Sequence, residues 1–92
     1  MIRSFRSKAL RRFAEHGDAS KVSVPHIGRL ERILAHLEAA TSPEHVDIPG
    51  YRFHALRGAD KGRYAVNASG NYRVTFAWDG RDAVDVALED YH

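Results

Sequence analysis

The sequence contains no cysteine, and it has only three prolines and one tryptophan among its 92 residues. Without cysteine the chain has no disulfide framework, thiolate zinc site or thiol nucleophile. No apolar run approaches the length that spans a bilayer. The basic start from Met1 to Arg6 has no apolar stretch behind it, which predicts that a secretory signal is absent. We therefore expect a cytoplasmic protein that works without sulfur chemistry and without a membrane.

Several common site signatures are also missing. Gly58 and Gly62 are not followed by the Lys-Ser pair and helix of a phosphate-binding loop, which argues against nucleotide hydrolysis. No two histidines stand one helical turn apart beside a carboxylate, so we expect neither a metal nor another cofactor. Four histidines lie in predicted helices or loops without clustered partners, and we expect them at the surface: His16, His26, His36 and His45.

The length and patterning predict one α+β domain over residues 1–92, with helices first and strands afterwards. Ser7 is a suitable N-cap for a first helix that ends near Gly17. A second helix is predicted after Ser23, with Val24 and Pro25 in its first turn and its end near Ala40. One further turn is expected at residues 42–44.

The second half of the chain alternates as strands do. Tyr72, Val74, Phe76 and Trp78 share one face of a predicted central strand, which must be the core face, whereas Arg73 lies on the opposite face. Turns at residues 69–71 and 79–80 join this strand to predicted neighbours at residues 64–68 and 83–88, which makes an antiparallel meander. In the last strand Val84, Val86 and Leu88 alternate. Residues 51–56 are predicted to add a fourth strand, so two helices should cover one sheet face and leave the other partly open.

Charge is unevenly distributed along the chain, although the formal net charge is only +2. Five basic residues near the start have no acidic neighbours before position 15: Arg3, Arg6, Lys8, Arg11 and Arg12. Acidic residues concentrate at the other end: Asp79, Asp82, Asp85, Glu89 and Asp90. The basic stretch is typical of a solvated helix face, and polyanion binding is the alternative.

Some residues combine into a possible catalytic set. Arg73 projects from the uncovered sheet face, where it either decorates a solvated surface or presents its guanidinium to an anion. His54 lies in an apolar neighbourhood, where a lone histidine is more often structural than catalytic. Arg57 adds a cation, and residues 90–92 add groups that transfer protons. Taken together these residues are harder to dismiss as structural or solvated groups than any one of them alone.

Blocks in the second half of the chain resemble the HigB branch of the RelE/ParE toxin superfamily, the toxins of bacterial type II toxin-antitoxin pairs. The blocks are YRFHALRG at residues 51–58, GRY at 62–64, NYRVTF at 71–76 and EDYH at 89–92, and the start MIRSF is also similar. The resemblance implies two N-terminal helices packed on a twisted antiparallel sheet, the RelE-like microbial RNase fold. It agrees with the fold predicted from the pattern.

The resemblance also implies a ribosome-dependent endoribonuclease that cuts messenger RNA in the ribosomal A site. A helix-turn-helix antitoxin of the HigA type would restrain it and would provide its only link to operator DNA. By position, the implied active residues are His54, Arg57, Arg73, Asp90, Tyr91 and His92. Arg57 stands where this branch often has lysine, and Ala55 replaces a common proline.

The implied residues suffice for metal-free RNA cleavage. His54 and His92 would be the acid/base pair in an unassigned order, and Asp90 would assist one imidazole. Arg57 and Arg73 would hold the phosphate, and Tyr91 would stack on a base or hydrogen-bond the backbone. The basic N-terminal stretch would dock on ribosomal RNA phosphates. Two alternatives remain: a non-enzymatic toxin like the ParE branch, which acts by binding gyrase, and a small RNA-binding module.

Overall fold

The computed structural model describes residues 1–90, which form two helices followed by an antiparallel sheet. The helices are α1 (Lys8–His16) and α2 (Ile27–Ala39), with short 3₁₀ helices at Pro43–Val46 and Gly58–Asp60. The strands are β1 (His54–Ala55), β2 (Arg63–Ser69), β3 (Tyr72–Asp79) and β4 (Asp82–Asp90), in the spatial order β1-β2-β3-β4. The predicted α+β class and the meander are confirmed.

Helix α1 begins and ends where the sequence predicts. The Ser7 hydroxyl accepts a hydrogen bond from the Leu10 amide at 3.2 Å, which satisfies a donor that the first turn leaves unpaired. Gly17 has a left-handed φ of 71°, and its amide donates to the Phe13 carbonyl. Leu10 and Phe13 are the buried residues of this helix. The helix therefore packs one apolar edge on the core and leaves its basic side chains outside.

Helix α2 begins at Ile27, later than predicted. The segment at Val24 and Pro25 does not form a helical turn, and the His26 amide instead donates to the Ser69 hydroxyl at 3.3 Å. This bond ties the start of α2 to the hairpin between β2 and β3. The prediction placed Pro25 inside the first turn because proline is accepted there, and it could not take this tertiary bond into account.

The core lies between the two helices and one face of the sheet, the helical face. Leu30, Ile33 and Leu37 of α2 are fully buried in the same cluster as Val74 and Phe76 of β3. Tyr72 and Trp78 pack against this cluster, which confirms the predicted aromatic core face. Burial of apolar surface at roughly 25 cal/mol per Å² makes this layer the main source of stability.

Strand β1 is much shorter than the predicted strand at residues 51–56. Arg52 has a left-handed φ of 52°, which interrupts the extended conformation two residues before His54. Contacts with β2 exist on both sides of the interruption: the Asn67 amide donates to the Tyr51 carbonyl at 2.6 Å, and the Leu56 amide donates to the Arg63 carbonyl at 2.9 Å. The segment thus follows β2 but pairs regularly only at His54 and Ala55.

Strand β4 contains an irregularity that the sequence pattern did not predict. Asp85 has a φ of 51°, and the pairing with β3 shifts between Thr75 and Ala77. Ala83 and Val86 are consequently both buried in the core, whereas Val84 pairs with Ala77 outside the core cluster. The alternation of Val84 with Val86 and Leu88 is therefore wrong at Val84, because an extra residue in one strand shifts which side chains face the core.

The N-terminal segment lies parallel to β4, with isolated bridges from Ile2 to Ala83 and from Phe5 to Val86. This arrangement brings the basic start beside the acidic end. Arg3 forms ion pairs with Asp79 and Asp82. Arg11 approaches Glu15 at 3.6 Å, and Arg12 approaches Asp18 at 3.5 Å. The linear view of a basic stretch without acidic partners is therefore wrong for Arg3, Arg11 and Arg12. Among the described residues no helix is long and apolar enough to cross a membrane.

Candidate active site

The sheet face opposite the helices, the polar face, is built from two neighbouring rows of side chains. Register places His54, Ala65, Thr75 and Ala87 side by side in one row. The adjacent row contains Asn67, Arg73 and Glu89. Residues two apart on a strand share a face, so the side chains of both rows project from the same side of the sheet. Small residues in the first row leave a low floor between His54 at the edge and the charged groups of the second row.

The imidazole of His54 is exposed at the edge of this floor, and its tautomer is determined by one hydrogen bond. Nδ1 lies 2.8 Å from the Arg52 carbonyl oxygen, which can only accept. Nδ1 therefore carries the proton, and in the neutral ring Nε2 holds the lone pair. The left-handed Arg52 thus has a role in the site, because it places this carbonyl beneath the ring. The arrangement suits a general base that acts through Nε2.

A chain of polar contacts crosses the floor from β2 to β4. Arg63 Nη2 donates to the Thr75 hydroxyl at 2.9 Å and to the Asp85 carbonyl at 2.9 Å. The Thr75 hydroxyl donates to one oxygen of Glu89. The other oxygen of Glu89 lies 3.8 Å from Arg73 Nη2. One carboxylate therefore lies between two arginines on the polar face.

Arg63 is an unusual member of this chain of polar contacts, because only 7% of its surface is exposed. Burial is the largest cause that lowers the pKa of Arg63, and the nearby charge of Arg6 lowers the pKa further. Glu89 and Asp85 act in the opposite direction. Within residues 1–90, Arg63 Nη1 is buried without a hydrogen-bond partner. The polar face thus contains a buried positive charge.

The structure brings His54 and Arg73 to one face but not into contact. They lie two strands and one row apart, so strand geometry separates their Cα atoms by about 12 Å. The exposed Arg57 follows β1 beyond Leu56, which is bonded to Arg63, and this direction leads away from the row of Arg73. Register thus places Arg57 and Arg73 on opposite sides of the row that contains His54, and Arg57 lies beyond the end of β1.

The predicted C-terminal groups are described only in part. Asp90 is exposed and pairs with Tyr72, so strand alternation assigns it to the side of Tyr72 and Leu88. Glu89 is the carboxylate that alternation assigns to the side of Arg73. The predictions for Tyr91 and His92 lie outside the described residues.

The remaining histidines and the basic stretch lie elsewhere. His16, His26, His36 and His45 are all exposed, as predicted. A surface depression of about 390 Å³ is lined by Lys8, Arg11, Arg12 and His16 of α1. A cleft of about 370 Å³ lies between the helices and is lined by Phe5, Phe13 and Leu34 among others, away from the polar face. In the part of the chain that is described, no three histidine, aspartate or glutamate side chains converge as metal ligands do.

Sequence reasoning gave no role to three residues of this face: Arg63, Thr75 and Glu89. A period-2 reading of β2 assigns Arg63 and Ala65 to the face opposite Tyr64 and Val66, so the pattern did contain the signal for Arg63. Thr75 lies two residues from Arg73 on the same strand and follows from the same rule. Glu89 required the register between β3 and β4, which the sequence alone does not supply.

Comparisons with known proteins agree with this architecture. Residues 3–92 match the family profile described as HigB-like toxin, the RelE-like toxin of the type II toxin-antitoxin system HigB. The chain is also 32% identical over 92 residues to the Endoribonuclease HigB of Proteus vulgaris, and the match covers 100% of both chains. A type II toxin has an antitoxin as its partner. The chain therefore belongs to the HigB-like family of RelE-like toxins from type II toxin-antitoxin systems.

Proposed function

We propose that this toxin is an endoribonuclease that cuts messenger RNA in the ribosomal A site by metal-free acid/base catalysis and so inhibits translation. The main observation in support is His54, whose protonated Nδ1 is held by the Arg52 carbonyl on the sheet face that also carries Arg73. The name of the Proteus vulgaris relative supports the same activity. Acting on ribosomes and messenger RNA would place the toxin in the cytoplasm.

The reaction assigns one task to each group. Nε2 of His54 removes the proton of a ribose 2′-hydroxyl, and the resulting oxygen attacks the adjacent phosphorus. The bond from phosphorus to the 5′-oxygen breaks, which leaves a 2′,3′-cyclic phosphate on one fragment. His92 donates the proton that the departing 5′-oxygen requires. Protons and charges then balance without a further reactant.

The cations stabilise the charge that develops on the phosphate oxygens. Arg73 is 19% exposed in its side chain and lies on the same face as His54, so it binds the phosphate that is attacked. Arg57 is exposed beyond the end of β1 and binds a neighbouring phosphate. Alternation assigns Asp90 to the side of β4 opposite His54, so the imidazole that Asp90 orients is that of His92. Tyr91 stacks on a base.

Regulation follows from the family. We propose an antitoxin of the HigA type with a helix-turn-helix domain, which binds operator DNA and carries the toxin with it. The toxin itself contacts the ribosome and messenger RNA. A neighbouring reading frame that encodes a helix-turn-helix protein is the expected genetic arrangement.

Cleavage by purified variants on programmed ribosomes tests the catalytic assignment. We expect His54→Ala and His92→Ala each to reduce cutting by about 10² to 10⁴, the usual contribution of a general acid or base. His26→Ala is the matched control, because His26 is exposed beside α2 on the helical side. Undiminished cutting by either variant would refute its role.

Three further measurements separate the alternatives. The same messenger RNA without ribosomes should stay intact, which tests ribosome dependence. Inhibition of gyrase by the wild-type protein without RNA cutting would support a toxin of the ParE type. Binding to RNA without any cleavage would support the small RNA-binding module.

A further inference from the structure

The Glu89 carboxylate occupies a position that RNA binding alone does not explain. It lies on the polar face, 37% exposed in its side chain, where it would repel the phosphates of an approaching RNA. Both of its oxygens are nevertheless used: one accepts from Thr75, and the other approaches Arg73 Nη2 at 3.8 Å. A carboxylate that weakens substrate binding in this way requires a compensating role.

The donors and acceptors in the hydrogen bonds that link Arg63, Thr75 and Glu89 follow from the chemistry of the three side chains. The guanidinium of Arg63 can only donate, so the Thr75 oxygen must accept at 2.9 Å. The single hydroxyl hydrogen of Thr75 is then directed to Glu89. Thr75 is fully buried, and Arg63 is 7% exposed, so both partners are held in place by packing. The carboxylate is thus fixed from below by two buried side chains.

We propose that Glu89 is a positioning residue that orients Arg73 for the attacked phosphate, and that Thr75 and Arg63 align Glu89. The inference rests on the proposed function, in which Arg73 binds that phosphate. An arginine side chain has several rotatable bonds, and a carboxylate on the neighbouring strand restricts them. At 3.8 Å the ion pair is longer than a direct charge-assisted hydrogen bond of about 2.8 Å. The guanidinium can therefore move a short distance to contact a phosphate while Glu89 still restrains it.

The Glu89→Gln variant tests the role of the charge while keeping the shape of the side chain. We expect kcat on ribosome-bound messenger RNA to fall about tenfold, because Arg73 loses its orienting partner. We expect KM to stay constant or to fall, because a negative charge is removed from an RNA-binding face. Glu31→Gln makes the same charge change at an exposed position of α2 and should leave kcat unchanged. Undiminished kcat in Glu89→Gln would overturn the proposal.

Substitutions at Thr75 test the alignment of Glu89. Thr75→Val removes the hydroxyl and nearly preserves the volume, and kcat should fall as it does in Glu89→Gln. Thr75→Ser keeps the hydroxyl and should keep most of kcat, although it removes a buried methyl group. Thermal unfolding of the wild type, Thr75→Val and Thr75→Ser separates a loss of alignment from a loss of stability. The missing methyl group affects stability in Thr75→Ser. If Thr75→Ser were as slow as Thr75→Val, the alignment role would be wrong.

A double-mutant cycle with Arg73 separates this inference from the proposed function. If Glu89 acts through Arg73, Glu89→Gln should have almost no further effect in an Arg73→Ala background. Multiplicative losses in the double variant would overturn the positioning role and leave the role of Arg73 intact. Full activity of Arg73→Ala alone would instead overturn the assignment of Arg73 in the proposed function, and the inference with it.

Discussion

At the scale of single residues, Arg63 stabilises the polar face through hydrogen bonds from a buried side chain. Its Nη2 donates both to Thr75 and to the Asp85 carbonyl, and the side chain is almost entirely buried. A buried cation is unfavourable unless its donors find acceptors, and here two acceptors depend on the same nitrogen. Arg63 therefore contributes to stability through the groups that it satisfies.

We expect Arg63→Met to lower the free energy of unfolding by about 1–3 kcal/mol, because the Asp85 carbonyl and the Thr75 hydroxyl lose their donor. Urea unfolding followed by circular dichroism measures the change. Arg81→Met, in the exposed turn between β3 and β4, is the control and should change stability little. A variant as stable as the wild type would show that removing the buried charge offsets the loss of the hydrogen bonds.

The residue scale also shows which parts of the site were predictable. His54 and Arg73 were identified from the sequence, and the structure assigns them to one face. Glu89 was given no role from the sequence, because adjacent residues on a strand face opposite sides and the pairing register decides which one meets Arg73. Such a one-residue distinction depends on tertiary pairing.

At the scale of elements, the N-terminal segment behaves as an added strand. The Arg3 amide donates to the Ala83 carbonyl at 2.8 Å, and the Arg6 amide donates to the Val86 carbonyl at 2.9 Å. The Ser4 hydroxyl accepts from the Asp85 amide at 2.8 Å, at the irregular position of β4. Side-chain and backbone bonds together attach this segment to the sheet.

Hydrogen exchange tests this attachment. The amides of Arg3 and Arg6 should exchange slowly, although terminal residues usually exchange fast. Ser4→Ala should accelerate both amides, because removing its hydroxyl loses a bond that contributes about 1 kcal/mol. Ser20→Ala, whose hydroxyl bonds only locally to Asp18, should leave them unchanged. Fast exchange in the wild-type protein would contradict the pairing.

The sequence predicted regular elements better than irregular ones. Helix α1 was predicted from Ser7 and Gly17, because both termini depend on local chemistry. The late start of α2 and the irregularity at Asp85 depend on bonds to distant residues, Ser69 and Ser4. Local patterns contain no information about such partners, which explains why the start of α2 and the regular alternation of β4 were predicted wrongly.

At the scale of the whole molecule, basic side chains lie closer to acidic ones than the linear sequence suggests. Arg11 and Arg12 extend from α1 but have Glu15 and Asp18 as neighbours. Both ion pairs are largely exposed, so each contributes little to stability and leaves the arginines available to phosphates. We still expect α1 to contribute to docking on ribosomal RNA.

Reversing both charges with Arg11→Glu and Arg12→Glu should weaken ribosome binding and reduce its dependence on salt, because fewer counterions are released from the RNA. Binding measured over a range of salt concentrations checks this. Arg32→Glu with Arg81→Glu makes the same change in net charge at exposed positions outside α1. Equal effects of both double variants would show that only total charge matters.

The parallel pairing of the N-terminal segment with β4 has a consequence for how the protein is made. Arg3 contacts Asp82 across a separation of 79 residues, so the segment that contains Arg3 can pair only after the start of β4 has been synthesised. Contacts between distant residues form late, because the intervening chain must first be ordered. Glu89, which faces Arg73, is likewise made after the other three strands. A nascent chain would thus remain without an assembled polar face until β4 has emerged.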